Sequence, residues 1–496
     1  MDRARSLSLA RVVERLAAAG ALAPGADVPG EVGVRGVSHD SRKVDEGDLF
    51  VAWRGAEHDG HDFVGEAVRR GAVAALVETP LSDLPVPQVV VRDGRLAGAL
   101  AADDFFGNPC REVFVYAVTG TNGKTTTTLL ARHLLRVGGP SAAIGTLGLV
   151  DADGEVRPRT AGLTTPGPVR LSAWMRSLAD SGVRHVGLEA SSHALDQHRL
   201  DGVQLDAVAY TNLSRDHLDY HHDMDGYRAA KARAVGLVVP EGTVVVNADE
   251  PAWVRLDSGS RRRLSYGVDS DAALTATSLE LGPAGTRFEL SHEGSSVPVS
   301  MPLLGRFNVE NALAAAGIAL AAGRPVDEVV DGLGSAPAVP GRMELVASRP
   351  CPVVIDYAHT PDALVRLLDT LRRLTNGRLI VLFGAGGDRD AAKRPLMGIA
   401  VAERADVAIV TSDNPRTEDP EAIIDQIVAG MGGAGHERVS DRRAAIGRAL
   451  DLAAPGDLVV LAGKGHETRQ VIGGETLPFD ERKIVLAHLA GGATGA

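Results

Sequence analysis

"VYAVTGTNGKTTTTLLARHLL", residues 115–135, passes from an apolar run through Gly-Thr-Asn-Gly-Lys-Thr into a stretch with helical spacing. A strand, a Gly-rich turn and a helix in that order present several backbone N–H groups at the positive end of a helix, which makes a phosphate cradle. Lys124 adds a point charge for the outer phosphates, and the Thr125 hydroxyl can sit on a magnesium ion. The spacing departs from the common Gly-x-x-x-x-Gly-Lys form, because Val118 stands five positions before Gly123. The competing reading is a Gly-rich strand-to-helix turn with a surface lysine. The flanking strand and helix favour a mononucleotide instead.

Outward from this loop, the chain of 496 residues is too long for one ordinary core and implies two to four domains. Composition is that of a globular protein, 44% hydrophobic and 23% charged. A net charge of −12 with no basic face argues against a nucleic-acid partner, although small anionic ligands need only a local cluster of donors. Two cysteines, Cys110 and Cys351, are too few for a disulfide framework or a thiolate metal site, so a reducing cytoplasm is expected. The opening "MDRARSLSLARVVERLAAAGAL" has helical spacing broken by Glu14 and Arg15, unlike a signal peptide, and no run is long enough to span a bilayer.

The predicted organisation is α/β in three domains. Residues 1–107 mix short strands ("DLFVAW", "VAALVE", "VPQVVV") with helices. Residues 108–338 alternate strand and helix, which argues for a mostly parallel, helix-covered sheet, with a β-rich excursion near 271–302. The Pro/Gly-rich "GSAPAVPGRME" reads as a linker. Beyond it, residues 339–496 carry "CPVVIDYA", "RLIVLFGA", "DVAIVTSD" and "DLVVLAGK", apolar strands stopping at polar or Gly residues, as in a second open sheet. Ligands of such sheets lie beyond the strand carboxyl ends.

Glu189 ends the strand "HVGLE", where a carboxylate can meet a cation held by the loop phosphates; a strand-end Glu in solvent is the bland alternative. "TNLSRDHLDYHH" then gathers Asn212, Arg215, Asp216, His217, Asp219, His221 and His222. That density suits a transition metal, but an oxygen-rich magnesium site with one imidazole fits the nearby phosphate loop better. Lys231, in "YRAAKARAVG", reads from its neighbours alone as a solvated helix lysine.

"GTNGKTTTT", "EASSHALDQHR", "TNLSRDHLDYH", "AAKAR", "GRFNVENALAA", "DYAHTPDAL", "GGDRDAAKRP", "SDNPRTEDP" and "GKGHE", in that order over residues 36–485, resemble the ATP-dependent muramyl ligases of peptidoglycan synthesis. The resemblance is nearest to the branch that adds the third residue to UDP-N-acetylmuramoyl-L-alanyl-D-glutamate. It implies an N-terminal α/β domain for the uridine nucleotide, a central P-loop ATPase-like parallel sheet and a C-terminal Rossmann-like domain for the incoming amino acid. By motif position, Gly120, Thr121, Asn122, Gly123, Lys124, Thr125 and Thr126 would hold ATP, with Asn308 and Asn311 near the nucleotide and Arg342 and His359 closing over its phosphates. Thr125, Glu189 and His217 would meet magnesium, two ions being expected. Lys231 matches the lysine that the family carries as a carbamate formed with carbon dioxide (N6-carboxylysine), which reverses the reading from its neighbours: a carbamate anion can hold a second magnesium that an ammonium would repel.

For the uridine substrate the resemblance implies His39 and Ser41, with Ala56, Glu57 and His58 nearby, then Thr164, Thr165, Ser191, Gln197 and Arg199 for the pyrophosphate and sugar–peptide portion. Asp413, Asn414, Pro415 and Arg416 form the Asp-Asn-Pro-Arg pattern of diaminopimelate-adding members, to which Arg389, Gly463 and Glu467 are joined. A guanidinium fork suits two-point recognition of a carboxylate, and diaminopimelate has a distal carboxylate that lysine lacks. The implied reaction is ATP-dependent amide formation through an acyl phosphate, with small-molecule substrates only, no membrane partner, and a monomer in the cytoplasm. Rival readings are a lysine-adding relative, a paralogue recruited to a specialised metabolite, a folate polyglutamylating ligase, or a regulator that hydrolyses ATP without ligation. Departures from the common family forms stand at Leu163, His222, Ala391, Ala392 and Arg469, none of them in the proposed phosphate or metal chemistry.

Overall fold

The computed structural model describes residues 6–26, 31–55, 58–157, 163–282 and 285–492. Ala56 and Glu57 therefore lie outside the described residues. Among the described residues no helix is long and apolar enough to cross a membrane.

The first sheet takes its four parallel strands in sequence order: β1 (Gly36–Ser38), β2 (Asp48–Val51), β3 (Ala74–Val77) and β4 (Gln88–Val90). Helix α1 (Leu9–Ala18) starts at Ser8, whose hydroxyl accepts from Arg11 N, and turns Leu9, Val12, Val13 and Leu16 inward. These side chains meet Leu49, Val51, Leu76 and Val89 together with Ala97 and Leu100 of α2 (Gly94–Phe105) in one apolar cluster.

The central sheet has eleven strands. In chain order they are β5 (Phe114–Thr119), β6 (Ser141–Gly145), β7 (Gly148–Val150), β8 (Val156–Arg157), β9 (His185–Glu189), β10 (Leu205–Tyr210), β11 (Val238–Asn247), β12 (Arg262–Gly267), β13 (Leu274–Gly282), β14 (Gly285–His292) and β15 (Ser295–Met301). Spatially they run β8-β7-β6-β9-β5-β10-β11-β12-β13-β14-β15. Every pair from β6 to β13 is parallel, and both wings are antiparallel. The β-rich excursion of the sequence is thus an extension of the same sheet. Strand β5 shows why the middle is covered on both sides: Tyr116 and Val118 enter one core and Val115 and Ala117 the other, the period-two alternation of a strand with no wet face.

Helix α3 (Lys124–Leu135) opens on four consecutive threonines, residues of modest helix propensity, so packing rather than propensity sustains it. It lies against α4 (Arg306–Ala321), an Ala-rich helix that is apolar all round and buried through most of its length. Close approach is part of that design. A Cβ on Gly317 would come within 2.6 Å of Val245 Cγ1 on β11.

The third sheet holds β16 (Glu344–Ala347), β17 (Val353–Asp356), β18 (Leu379–Phe383), β19 (Val407–Val410), β20 (Glu437–Arg438) and β21 (Leu458–Ala462) in the order β16-β17-β21-β18-β19-β20. Only β16 is antiparallel. Helices α5 (Pro361–Arg372) and α6 (Lys393–Ala402) pack against it with Leu364, Leu367, Leu368, Leu371, Met397 and Val401 inward. The segment read as a linker is packed rather than free: a Cβ on Gly341 would collide with the Gly465–His466 backbone.

Asp103, on α2, is 4% exposed and faces Gly202 of the central domain, where a Cβ would lie 2.8 Å from its own. Burial pushes its carboxyl from 3.8 up to about 7; Arg15 and Arg111 pull the other way and Asp104 adds to the rise. A carboxyl raised on folding binds its proton more tightly in the native chain, so its stabilisation is complete below about pH 4 and is lost as pH rises through 7. In urea melts from pH 5 to 8, Asp103→Asn should therefore gain on the parent by on the order of 2 kcal/mol toward the alkaline end. Parallel stability curves for the two proteins would refute this assignment.

Candidate active site

The phosphate loop leaves β5 at the point where β9 and β10, consecutive in the chain, flank it on opposite sides, the crevice where open sheets bind ligands. Gly120 (φ 146°) and Gly123 (φ 86°) both hold positive φ. A Cβ on the first would collide with Thr211 Oγ1 and on the second with Asn311 Oδ1, so glycine is demanded twice over. Asn212 braces the turn, its backbone oxygen accepting from Thr121 N at 2.8 Å and its Oδ1 from Asn122 N at 2.9 Å. Lys124 Nζ folds back onto Gly120 O (3.0 Å) and Thr121 O (2.8 Å). Burial lowers its pKa, against the pull of Glu189 and Asp216.

Parallel strands deliver their ends to one edge, and Glu189 arrives there from β9. Its Oε2 accepts from Thr125 Oγ1 and Thr146 Oγ1, both at 2.9 Å, while Oε1 accepts from Thr146 N at 2.9 Å. Thr125 is also reached from the C-terminal domain by Arg342 Nη2 at 3.2 Å, and the Arg342 guanidinium lies 4.4 Å over the Tyr357 ring. A second strap joins Asn122 Nδ2 to Asp362 Oδ2 of α5 at 3.2 Å. A third joins Arg366 of α5 to Glu310 of α4 at 3.2 Å.

His217 sits in the left-handed region (φ 55°) with Nε2 3.4 Å from Asp216 Oδ2. Burial would raise the Asp216 carboxyl, but His217 and Lys393, whose Nζ is 3.9 Å away, hold it ionised. Burial lowers His217 despite Asp216, and pushes His359 down to about 4 with Lys393 adding to the fall. Lys231 is not the solvated lysine suggested by its neighbours in sequence. It is 1% exposed, donates from Nζ to Gly120 O at 2.7 Å and lies 4.5 Å over the Tyr227 ring. Burial and then Lys124 press its pKa well below the usual range, which favours a neutral amine. Asn308 and Asn311 are buried on α4, joined at 3.1 Å, with Asn311 Oδ1 accepting from Thr127 Oγ1.

Opposite the loop stands Asp413-Asn414-Pro415-Arg416, following β19. Arg416 has φ 54° and is clamped by its own N–H to Val471 O at 3.0 Å, and its side chain donates to Gly387 O. Burial depresses its pKa, as does the neighbouring Arg389. A Cβ on Gly463 would press on Asp413 Oδ2 at 2.5 Å. Behind them Arg442, fully buried, donates to Ala462 O at 2.8 Å and to Ser412 O at 3.4 Å while pairing with Glu481 at 2.8 Å. One guanidinium thereby ties together the ends of the two strands that supply the pocket.

A single cavity of about 600 Å³ joins these parts. Residues 121–126, Thr164, Glu189, His217 and Asn311 line one side of it; Arg342, His359, Arg389, Asp413, Asn414, Arg416, Gly463 and Glu467 line the other. Gly120, Asn308, Lys231 and Pro415 are not on its wall. The residues expected to meet a uridine nucleotide form a separate chain of contacts. Thr165 Oγ1 donates to Glu189 O (2.6 Å) and Ser191 Oγ (3.2 Å), and Arg199 donates to Thr165 O (3.0 Å) and Gln197 Oε1 (2.6 Å). Arg199 and Arg170 both act on His39, whose ring stacks 5.0 Å from Trp53 and whose pKa burial lowers. Ser41 Oγ instead donates to Glu66 at 2.9 Å, and His58 sits edge-on to Phe63. Sequence reasoning passed over Thr146, Lys393, Asp362 and Tyr227. The end of the run "AAIGT" was a signal for the first, and Lys393 lay inside the quoted "GGDRDAAKRP".

Residues 33–97 match the model described as Mur ligase family, catalytic domain; residues 118–319 match the Mur ligase middle domain; residues 341–465 match Mur ligase, glutamate ligase domain. The chain is 44% identical over 467 residues to the UDP-N-acetylmuramoyl-L-alanyl-D-glutamate--2,6-diaminopimelate ligase of Bradyrhizobium diazoefficiens, covering 92% of this chain and 95% of that protein. A solved structure of a ligase with the same name superposes with a TM-score of 0.69 at 34% identity, over 98% of this chain and 99% of that one. The MurF ligase of Thermotoga maritima in complex with ADP shares the fold, with a TM-score of 0.62 at 19% identity over 92% and 97% of the two chains.

Gly123→Ala tests the loop. The substitution forces a side chain into the left-handed region and against Asn311, so the folded variant should show a KM for ATP raised about tenfold or more. An unaltered KM would mean that the loop does not hold the nucleotide.

Proposed function

The chain belongs to the Mur ligase family, and from that premise we propose that it joins diaminopimelate to UDP-N-acetylmuramoyl-L-alanyl-D-glutamate with ATP, in peptidoglycan precursor synthesis. The observation that carries the reading is the shared cavity, lined on one side by the phosphate loop and on the other by Asp413, Asn414, Arg416 and Glu467. Phosphoryl donor and incoming amine can meet only in such a space.

A carboxylate is a poor acyl donor. The D-glutamyl carboxylate therefore attacks the γ-phosphorus of ATP, the bond to ADP breaks, and an acyl phosphate forms. The neutral amine of diaminopimelate then attacks the acyl carbon, phosphate leaves with the electron pair of the broken bond, and the ammonium so formed loses a proton. Positioning and charge neutralisation are what this chemistry asks of a protein. Lys124 would exchange the carbonyls of residues 120 and 121 for outer phosphate oxygens, and Arg342 would follow from Thr125. Straps from α5 across the loop exclude water that would hydrolyse the acyl phosphate.

The donor set fits magnesium. Thr125 Oγ1 and Glu189 Oε2 are hard oxygen ligands 2.9 Å apart beside the loop, with His217 on the same wall. Among the described residues no group of three or more His, Cys, Asp or Glu converges on one point, so substrate phosphates would complete the shell. Bound there, the cation supplies neutralisation of phosphate charge. A buried, neutral Lys231 amine is the form that reacts with carbon dioxide, which supports its carbamate as the holder of a second ion. His39, Ser41, His58, Thr164, Thr165, Ser191, Gln197 and Arg199 are assigned to the uridine substrate. Support comes from the Arg170 and Arg199 cations near His39, since charge-assisted bonds to phosphate outweigh the distant field of an acidic protein. With water-borne substrates, we place the enzyme in the cytoplasm, as a monomer.

Arg416 and Arg389 crowd two guanidiniums at one spot, an arrangement that a carboxylate relieves. Arg416→Ala should raise the KM for diaminopimelate by about thirtyfold or more, with ATP binding retained. Equal turnover by variant and parent in an ATP-to-phosphate assay over a panel of diamino acids would reject diaminopimelate as the preferred substrate. For Lys231, enzyme equilibrated with ¹³C-labelled carbon dioxide should give a carbamate signal in ¹³C NMR that is lost in Lys231→Ala. A spectrum identical for the two proteins rejects the modification.

A further inference from the structure

Lys464, between Gly463 and Glu467, is fully buried, and the family resemblance gave it no role. Its Nζ donates to Asn414 Oδ1 at 3.0 Å and to Glu467 Oε2 at 3.2 Å, and lies 5.8 Å from the centre of the Phe479 ring. These contacts fix two side chains of the amino-acid pocket at once. Asn414 Oδ1 accepts from Lys464 and also from Val471 N at 3.0 Å, which fills both lone pairs of an amide oxygen. A flipped amide would turn its own donors against two others, so Nδ2 is obliged to point the opposite way, where it meets Glu467 Oε2 at 2.8 Å. Glu467 is thereby gripped through one oxygen, Oε2, by both Lys464 and Asn414. The carboxylate cannot rotate freely, and Oε1 is the atom left to take a cationic group from the cavity that Glu467 lines.

We propose that Lys464 is a positioning residue for amino-acid selection: by holding Asn414 Oδ1 and Glu467 Oε2 together, it aims Glu467 Oε1 at an ammonium group of the incoming diamino acid. The inference rests on this pocket receiving diaminopimelate. Arg416 would take the far carboxylate and Glu467 an ammonium, so the two read opposite charges on one zwitterionic ligand. These contacts of Lys464 are to Asn414, Glu467 and Phe479 and not to the phosphate loop, so its effect is confined to one substrate. A buried cation holding only the fold together would make no such distinction.

The experiment is a double-mutant cycle on the full chain, read as separate KM values for diaminopimelate, ATP and the uridine dipeptide. Turnover of diaminopimelate by the parent comes first; its absence would sink the assigned reaction, not the role of Lys464. Given that turnover, Lys464→Met should raise the KM for diaminopimelate by about tenfold or more, the loss of a charge-assisted bond, with the other two KM values within about threefold. Glu467→Gln should do the same, and the double variant should be little worse than either single one, because Lys464 acts through Glu467. Multiplying effects in the double variant, an unchanged KM for diaminopimelate, or a parallel rise in all three would overturn the proposal. Should Lys464→Met not fold, Lys464→Arg replaces it in the same cycle. It keeps the charge but alters the reach of its donors, and the same three results decide.

Discussion

Everything at the catalytic edge depends on the hydrogen bonds that pin the turn at residues 120–123 to the end of β10. Thr211 Oγ1 donates to Asn122 O at 2.7 Å, Asn212 accepts from the amides of Thr121 and Asn122, and Thr211 N donates to Thr119 O at 2.9 Å. Parallel pairing sets β5, β9 and β10 in register, so their last residues must emerge side by side. Glu189 meets Thr125 for that reason, and Lys231, from the helix Met224–Ala232, donates to Gly120 O on the same loop. A loop free to drift from β10 would lose its glycine geometry, its carboxylate and its buried lysine together.

Around this fixed edge the charges are sorted by place. The whole chain carries −12, yet Lys124, Arg342, Lys393, Arg389 and Arg416 all face the cavity that would take phosphates and carboxylates. Carboxylates face it too, Glu310, Asp390, Asp413 and Glu467 among them, while Glu189 is taken up by hydroxyls and an amide, and Asp216 by His217 and Lys393. The straps from α5 add a mechanical counterpart, since Asp362 and Arg366 hold the two halves of the cavity shut.

Local signals survived in the sequence wherever backbone chemistry is unusual. The glycines of the loop hold a positive φ that few other residues permit, and the apolar runs that stop at polar residues are strands. What could not be read was set by residues distant in the chain. Lys231 looks like any surface-helix lysine until the sheet folds over it, and its burial beside Lys124 is a property of tertiary packing. The Ser41–Glu66 bond, between residues 25 apart, is likewise set by packing and has no local signal. The β-rich stretch after 271 gave its strands by alternation, but nothing local says that it extends the nucleotide-binding sheet instead of forming its own. The Pro/Gly-rich segment read as a linker is tightly packed as well, Gly341 lying against residues 465 and 466, which its composition does not disclose.

Arg442 has a consequence for how such an enzyme can diversify. Because this one side chain stitches Ser412 O to Ala462 O deep inside the domain, the rims that carry residues 413–416 and 463–467 rest on one shared brace. Cavity-facing side chains that do not brace the rims, such as Arg416, can be exchanged without re-spacing the strands beneath, whereas Gly463 is held by Asp413. A change of amino-acid preference is then a matter of re-dressing two short turns, and the foundations of the barrel-less sheet need not be rebuilt to obtain it.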